Sequence, residues 1–163
     1  MPKANPDLKT PTDLTNTGSV GDALNVALAD CYALYLKTKN FHWHVSGPHF
    51  RDYHLLLDDQ AAQILGVTDA IAERVRKTGN VTLRSIGDIA RRQTIADNDQ
   101  DFVEAGAMLA ELRDDNLTLV EQFRVVKEAA EAAKDNATSG IVDEWTDQAE
   151  ERAWFLFEAS RGG

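Results

Sequence analysis

The chain has 163 residues, 43% hydrophobic and 27% charged, which suits one globular domain burying roughly 70% of its extended surface. No run reaches the ~18 apolar residues of a membrane span, no secretory pattern opens the sequence, and the single cysteine, Cys31, excludes an internal disulfide or a thiolate metal site. A net charge of −10 disfavours duplex nucleic acid, which is bound chiefly by Lys and Arg, and favours cations, although acid that merely keeps a protein soluble gives the same balance. The expected setting is the cytoplasm.

Pro2, Pro6 and Pro11 stand among Thr, Asn and Asp, so residues 1–18 read as an extended tail and 19–163 as the folded domain. From Val20, the residues Leu24, Leu28, Cys31, Tyr35, Thr38, His42 and Val45 recur at alternating steps of 4 and 3, one stripe of an amphipathic helix about 40 Å long. It stops at Ser46-Gly47-Pro48, where proline cannot continue the ladder. A second helix is predicted from His49 to Lys77, with Leu57, Ala61, Ile64, Leu65, Ile71 and Val75 inward and Gly79 just past its end. Residues 80–100 form a long connector with one short helical piece, Ser85 to Arg92, packing Ile86, Ile89 and Ala90. A third long helix is expected over Asp99 to Lys134 through Phe102, Ala105, Leu109, Leu112, Leu119, Phe123 and Val126. A fourth covers Ser139 to Ser160 through Ile141, Trp145, Gln148, Arg152, Phe155 and Ala159. No alternating run predicts a strand. The fold class is therefore all-α: an up-down-down-up, ferritin-like four-helix bundle with a short extra helix in the connector between helices two and three.

Histidine and carboxylate concentrate between positions 42 and 73, and all four histidines, His42, His44, His49 and His54, lie there. On the second helix His54 and Asp58 are four apart, as are Asp69 and Glu73, so each pair leaves one face and can grip a cation. Asp58 and Asp69 are eleven residues apart: they face the same way but lie about 16 Å apart along the axis. Either each chain has two poor two-ligand sites, or a second copy, antiparallel across a two-fold axis, brings Asp69 and Glu73 to His54 and Asp58. The tight turn after Val45 folds His42 back beside His54, which supports the second option. Two imidazoles and a carboxylate from one chain with two carboxylates from the next suit iron. The Glu-x-x-His pairs of an intrachain di-iron bundle are missing, because Lys39, Phe41, Ser46 and Arg51 precede the histidines by three. Singly, His42 would read as a packed core histidine, Asp58 and Asp69 as solvated helix residues, and Glu73 as a surface partner of Arg74 or Arg76. Cys31 reads as a small packed hydrophobe. His44 lies about 200° around the helix from His42 and His49 sits at the turn, so neither is expected as a ligand.

The segment FHWHVSGPHFRDYHLLLDDQ from Phe41, followed by DAIAERVRKTG from Asp69 and the AWFLFEA ending at Ala159, resembles the Dps family, the DNA-binding proteins from starved cells, which are miniferritins. The resemblance runs over the whole chain. It implies a ferroxidase centre between subunits, with His42, His54 and Asp58 from one chain and Asp69 and Glu73 from its two-fold partner, and Trp43 beside it to intercept oxidising equivalents. It further implies a homo-oligomeric shell of twelve chains that oxidises Fe(II), preferably with hydrogen peroxide, and stores ferric mineral against oxidative stress. Acidic residues would line pores in such a shell, with Asp135 and Asp143 as candidates and a solvated helix end as the plain alternative. His44 stands where the family usually has asparagine. Family members that bind DNA often use a lysine-rich tail, but this tail sets only Lys3 and Lys9 against Asp7 and Asp13. Twelve copies of −10 give a shell of roughly −120, so DNA binding is expected to be weak or absent. The competing readings are a nucleoid-binding protein that shields DNA by physical association and a purely structural helical oligomer.

Overall fold

The computed structural model describes residues 14–161, and Lys3, Asp7, Lys9 and Asp13 of the expected tail lie outside them. Five helices follow in order: α1 (Gly18–His44), α2 (Phe50–Lys77), α3 (Ile86–Arg92), α4 (Ala105–Ala132) and α5 (Asn136–Ala159). No strand occurs among the described residues.

The helix ends follow from local chemistry. Gly47 and Gly79 take φ of 120° and 84°, a left-handed region that side chains disfavour, so α1 and α2 end where the glycines fall. The Ser85 hydroxyl accepts from the Asp88 N–H at 3.1 Å and caps α3. Asp135 does the same for α5, accepting from the Thr138 N–H and hydroxyl. The start of α4 differs from expectation by six residues. The Asn98 side chain accepts from the Gln100 N–H at 3.0 Å, a local turn that competes with helix, and the chain stays non-helical until Glu104.

Cross-helix bonds give the directions. Thr17 at the start of α1 donates to the Thr78 carbonyl at the end of α2. Along α2 and α5, Tyr53 reaches the Ala159 carbonyl, Gln60 the Arg152 carbonyl and Arg74 the Asp135 carboxylate. Lys127, late on α4, reaches Ser139 and Asp143, early on α5. Each neighbouring pair is thus antiparallel, and α1, α2, α4 and α5 run up, down, down and up. The crossover between α2 and α4 climbs the side of α1. Asn25 donates to the Val81 carbonyl, the fully buried Asp30 accepts from the Thr94 N–H and hydroxyl and the Ile95 N–H, and Asn40 donates to the Asn98 carbonyl.

The core is continuous from Leu24 and Leu28 through Leu57, Ile64 and Ile71 to Leu112, Phe123 and Trp145, with the last two rings 6.1 Å apart. Burying each such side chain contributes about 1.5–3 kcal/mol. Several residues expected inside are not. Leu65 is 43% exposed, Phe155 44%, Phe102 66% and Ile86 81%, and α3 buries no residue at all. Periodicity marks a face as apolar but does not say whether its own chain covers it.

Candidate metal centre

The last turn of α1 and the first turns of α2 bring His42 and His54 face to face, with ring centroids 3.8 Å apart and planes within 16°. The His42 Nδ1 bonds the His54 carbonyl at 2.7 Å, and the His54 Nδ1 bonds the His42 carbonyl at 2.8 Å. A carbonyl only accepts, so both Nδ1 atoms carry the hydrogen and both Nε2 atoms keep a free lone pair. Metal-ligating histidines are commonly oriented through their other nitrogen in this way. Phe50 stacks on the outer side of His54 at 5.1 Å.

Asp58, one turn beyond His54, places its Oδ1 3.7 Å from the His42 Nε2. Lys39 donates to the same oxygen at 2.8 Å. That hydrogen bond holds the Asp58 carboxyl below its ordinary range, helped by the positive charge of the same Lys39 ammonium. The carboxylate is therefore ionised and ready for a cation, with an ammonium already beside it. Lys39 was not among the residues expected at the site, although its position one turn before His42 puts it on the same side of α1.

Asp69 and Glu73 lie farther along α2, exposed. The arginines next to Glu73 are engaged elsewhere, Arg74 with Asp135 and Arg76 with the Asn80 carbonyl, so the surface ion pair considered for Glu73 does not form. Among the described residues of one chain, no three His, Cys, Asp or Glu side chains are disposed to hold a metal ion. The five expected ligands thus fall into two clusters on one chain: His42, His54 and Asp58 together, Asp69 and Glu73 apart.

The bundle interior is occupied differently. Arg152 is 2% exposed, donates to the Asn116 side chain at 2.8 Å and leaves its Nη1 without a partner. Burial brings its pKa down to about 10 and pushes the Cys31 thiol up to about 12. A buried guanidinium is a poor neighbour for a cation, in keeping with the missing Glu-x-x-His pairs.

The remaining candidates scatter. Trp43 is 57% exposed, with the Lys39 ammonium 5.8 Å from its ring centroid. His49 packs its ring 5.6 Å from Tyr53. His44 points to another side of α1. Asp143 is exposed and accepts from Lys127 at 3.0 Å. Asp135 is 1% exposed, and its carboxylate is taken up by Thr138 and Arg74. In this chain it is a buried helix cap, not the solvated helix end expected as the plain alternative.

The ferritin-like domain family matches residues 21–159. The DNA protection during starvation protein of Halobacterium salinarum is 35% identical over 123 residues, covering 76% of this chain and 68% of that protein. The chain belongs to the Dps family of ferritin-like proteins. A further Dps-like match is DpsC from Streptomyces coelicolor, which superposes with a TM-score of 0.90 at 26% identity over 95% of this chain and 92% of that one. An uncharacterized low temperature-induced protein of Nostoc is 34% identical over 157 residues, 96% of this chain and 86% of its own. Dps membership accounts for the all-α fold and leaves the ligand assignments to the geometry above.

Proposed function

We propose that this chain is the subunit of a ferroxidase and iron-storage shell, with Fe(II) as substrate and ferric mineral as cargo. The observation that carries the reading is the reciprocal clamp of His42 and His54, which leaves the Nε2 of each ring free and stands the His42 Nε2 3.7 Å from an ionised Asp58 carboxylate oxygen. Each half of the ligand set is incomplete alone, and the register of α2 supports how it is completed. The midpoint between His54 and Glu73 is also the midpoint between Asp58 and Asp69, between Gln63 and Ile64. One two-fold axis passing there sets the partner's Glu73 opposite His54 and the partner's Asp69 opposite Asp58 at once. Exposed Leu55 and Leu65 share that face of α2, apolar surface that such pairing would cover.

The chemistry follows from the ligand types. Nitrogen and carboxylate oxygen bind Fe(II), and added carboxylate favours the more highly charged Fe(III). Two Fe(II) each give one electron to one hydrogen peroxide; the O–O bond breaks and two hydroxides form, so no hydroxyl radical is released. Bringing two ions to one site makes the two-electron step possible. Trp43 would then intercept any stray oxidising equivalent, and Asp143 is the one pore candidate that faces solvent.

The test is anaerobic addition of Fe(II) followed by peroxide, read by ferric absorbance. A fast rise is expected, slowed by at least about a hundredfold in the His54→Ala, Asp58→Ala double variant, since removing two donors costs several kcal/mol of ion affinity. Absence of the rise, or the same rate in the double variant, sinks the reading.

A further inference from the structure

Outside that centre, the side of α1 opposite His42 carries a second arrangement of metal-ligand type. His44 bonds both the Asn40 carbonyl and the Asn40 Oδ1 through its Nδ1, each at 2.8 Å. The Asn40 amide cannot be turned the other way, because its Nδ2 donates to the Asn98 carbonyl at 3.2 Å. Asn98 is fixed in turn, donating to Glu111 at 3.0 Å and accepting from the Gln100 N–H at 3.0 Å. Both partners of the His44 Nδ1 are acceptors, so the Nδ1 carries the hydrogen and the Nε2 lone pair is free. This is the state in which the two stacked histidines stand, reached through an independent chain of hydrogen bonds.

His44 lines a cavity of about 300 Å³ with Asn40, Gln100 and Asp101, over a base formed by the buried Phe41 and Met108. A histidine, an aspartate and two amide residues, whose side chains are all of metal-ligand type, therefore border one hollow. The early turn that keeps residues 99–104 out of α4 is what brings Gln100 and Asp101 there; had α4 begun at Asp99, they would be a helix turn.

We propose that His44 and Asp101, with an amide oxygen of Gln100, form a second binding site for a divalent transition metal ion, with water completing the coordination. Mixed nitrogen and oxygen donors suit Zn(II), Co(II) or Fe(II) over Mg(II) or Ca(II). Asn40 is its positioning residue: it touches no ion and fixes the ring that does. The site owes nothing to the His42, His54 and Asp58 cluster and does not depend on its assignment as a ferroxidase centre.

The experiment uses the full chain in its assembled form, carrying His54→Ala and Asp58→Ala so that the first centre is disabled. Co(II) is titrated with the visible absorbance followed, and Zn(II) is titrated by calorimetry. One ion per chain is expected to bind, with a Co(II) spectrum showing nitrogen ligation. Adding His44→Ala abolishes that binding, Asp101→Asn weakens it, and Asn40→Ala weakens it by about 10–100-fold, as loss of an orienting partner does. Circular dichroism and gel filtration verify that each variant folds and assembles. No binding in the double variant, or binding unchanged by both His44→Ala and Asp101→Asn, overturns the proposal.

Discussion

At the scale of single residues, the chain separates groups that hold charge from groups that avoid it. Asp30 is fully buried yet accepts three hydrogen bonds from Thr94 and Ile95, which makes a buried carboxylate tolerable. Replacing it by Ala strands those donors and is expected to lower unfolding free energy by about 2–4 kcal/mol, measured by urea denaturation. Cys31 is the opposite case. Burial moves its thiol from 9.0 to about 12, so the folded chain keeps the proton after the unfolded chain has lost it. Its contribution to stability is fully present below about pH 9 and is lost as pH rises toward about 12. A Cys31→Ala variant, compared with the parent by denaturation across that window, should decline less steeply. The parent's native thiol should ignore a disulfide reagent at pH 8 that reacts at once in guanidinium.

The elements are tied to one another at their ends. At the foot of the bundle, Gly21 of α1 lies so close to Asn80 that an added Cβ would stand 2.7 Å from the Asn80 Cβ and Cγ. Asn80 cannot easily yield, since its amide bonds Thr17 and Thr78. Gly21→Ala is therefore expected to cost about 1–3 kcal/mol despite its gain in helix propensity, seen as a lowered melting temperature. At the other end, the turn through Gly47 sets the angle at which α2 leaves α1, and with it the stacking of His42 on His54. Gly47 at φ 120° has open space around it, so Gly47→Ala strains backbone alone. A decline in ferrous oxidation larger than the decline in stability is the expected signature.

For the whole molecule, exposed Leu36, Trp43, Phe50, Leu55 and Leu65 crowd the α1 and α2 side. Leu65 lies within about 40° of both Asp58 and Asp69 around α2. Leu65→Arg should therefore separate paired chains, giving a smaller species on gel filtration and the slow iron oxidation of the ligand double variant. Charge acts on the same scale. The tail's two lysines and two aspartates cancel, so residues 14–161 carry the full −10. No complex with duplex DNA is expected in a gel shift at about 0.15 M salt, where the Debye length is about 8 Å.

The sequence by itself determined the helices apart from the start of α4, the turns at Gly47 and Gly79, and the grouping of the five candidate ligands into two clusters of one chain. These are local matters of 3.6-residue period, backbone freedom and rise per residue. Only the tertiary structure decided which nitrogen of His42 and His54 is free, because the deciding partners are carbonyls on the other helix. The same holds for Lys39 on Asp58, for the inward turn of Asp135, and for Leu65 and Phe102, apolar residues left facing out. Asn98 shows why: a single side chain bonding a backbone N–H two residues on outweighed a helical pattern and redirected Gln100 and Asp101 toward His44. Pattern states what a segment can bury, whereas hydrogen bonds made between distant segments state where each polar atom must go.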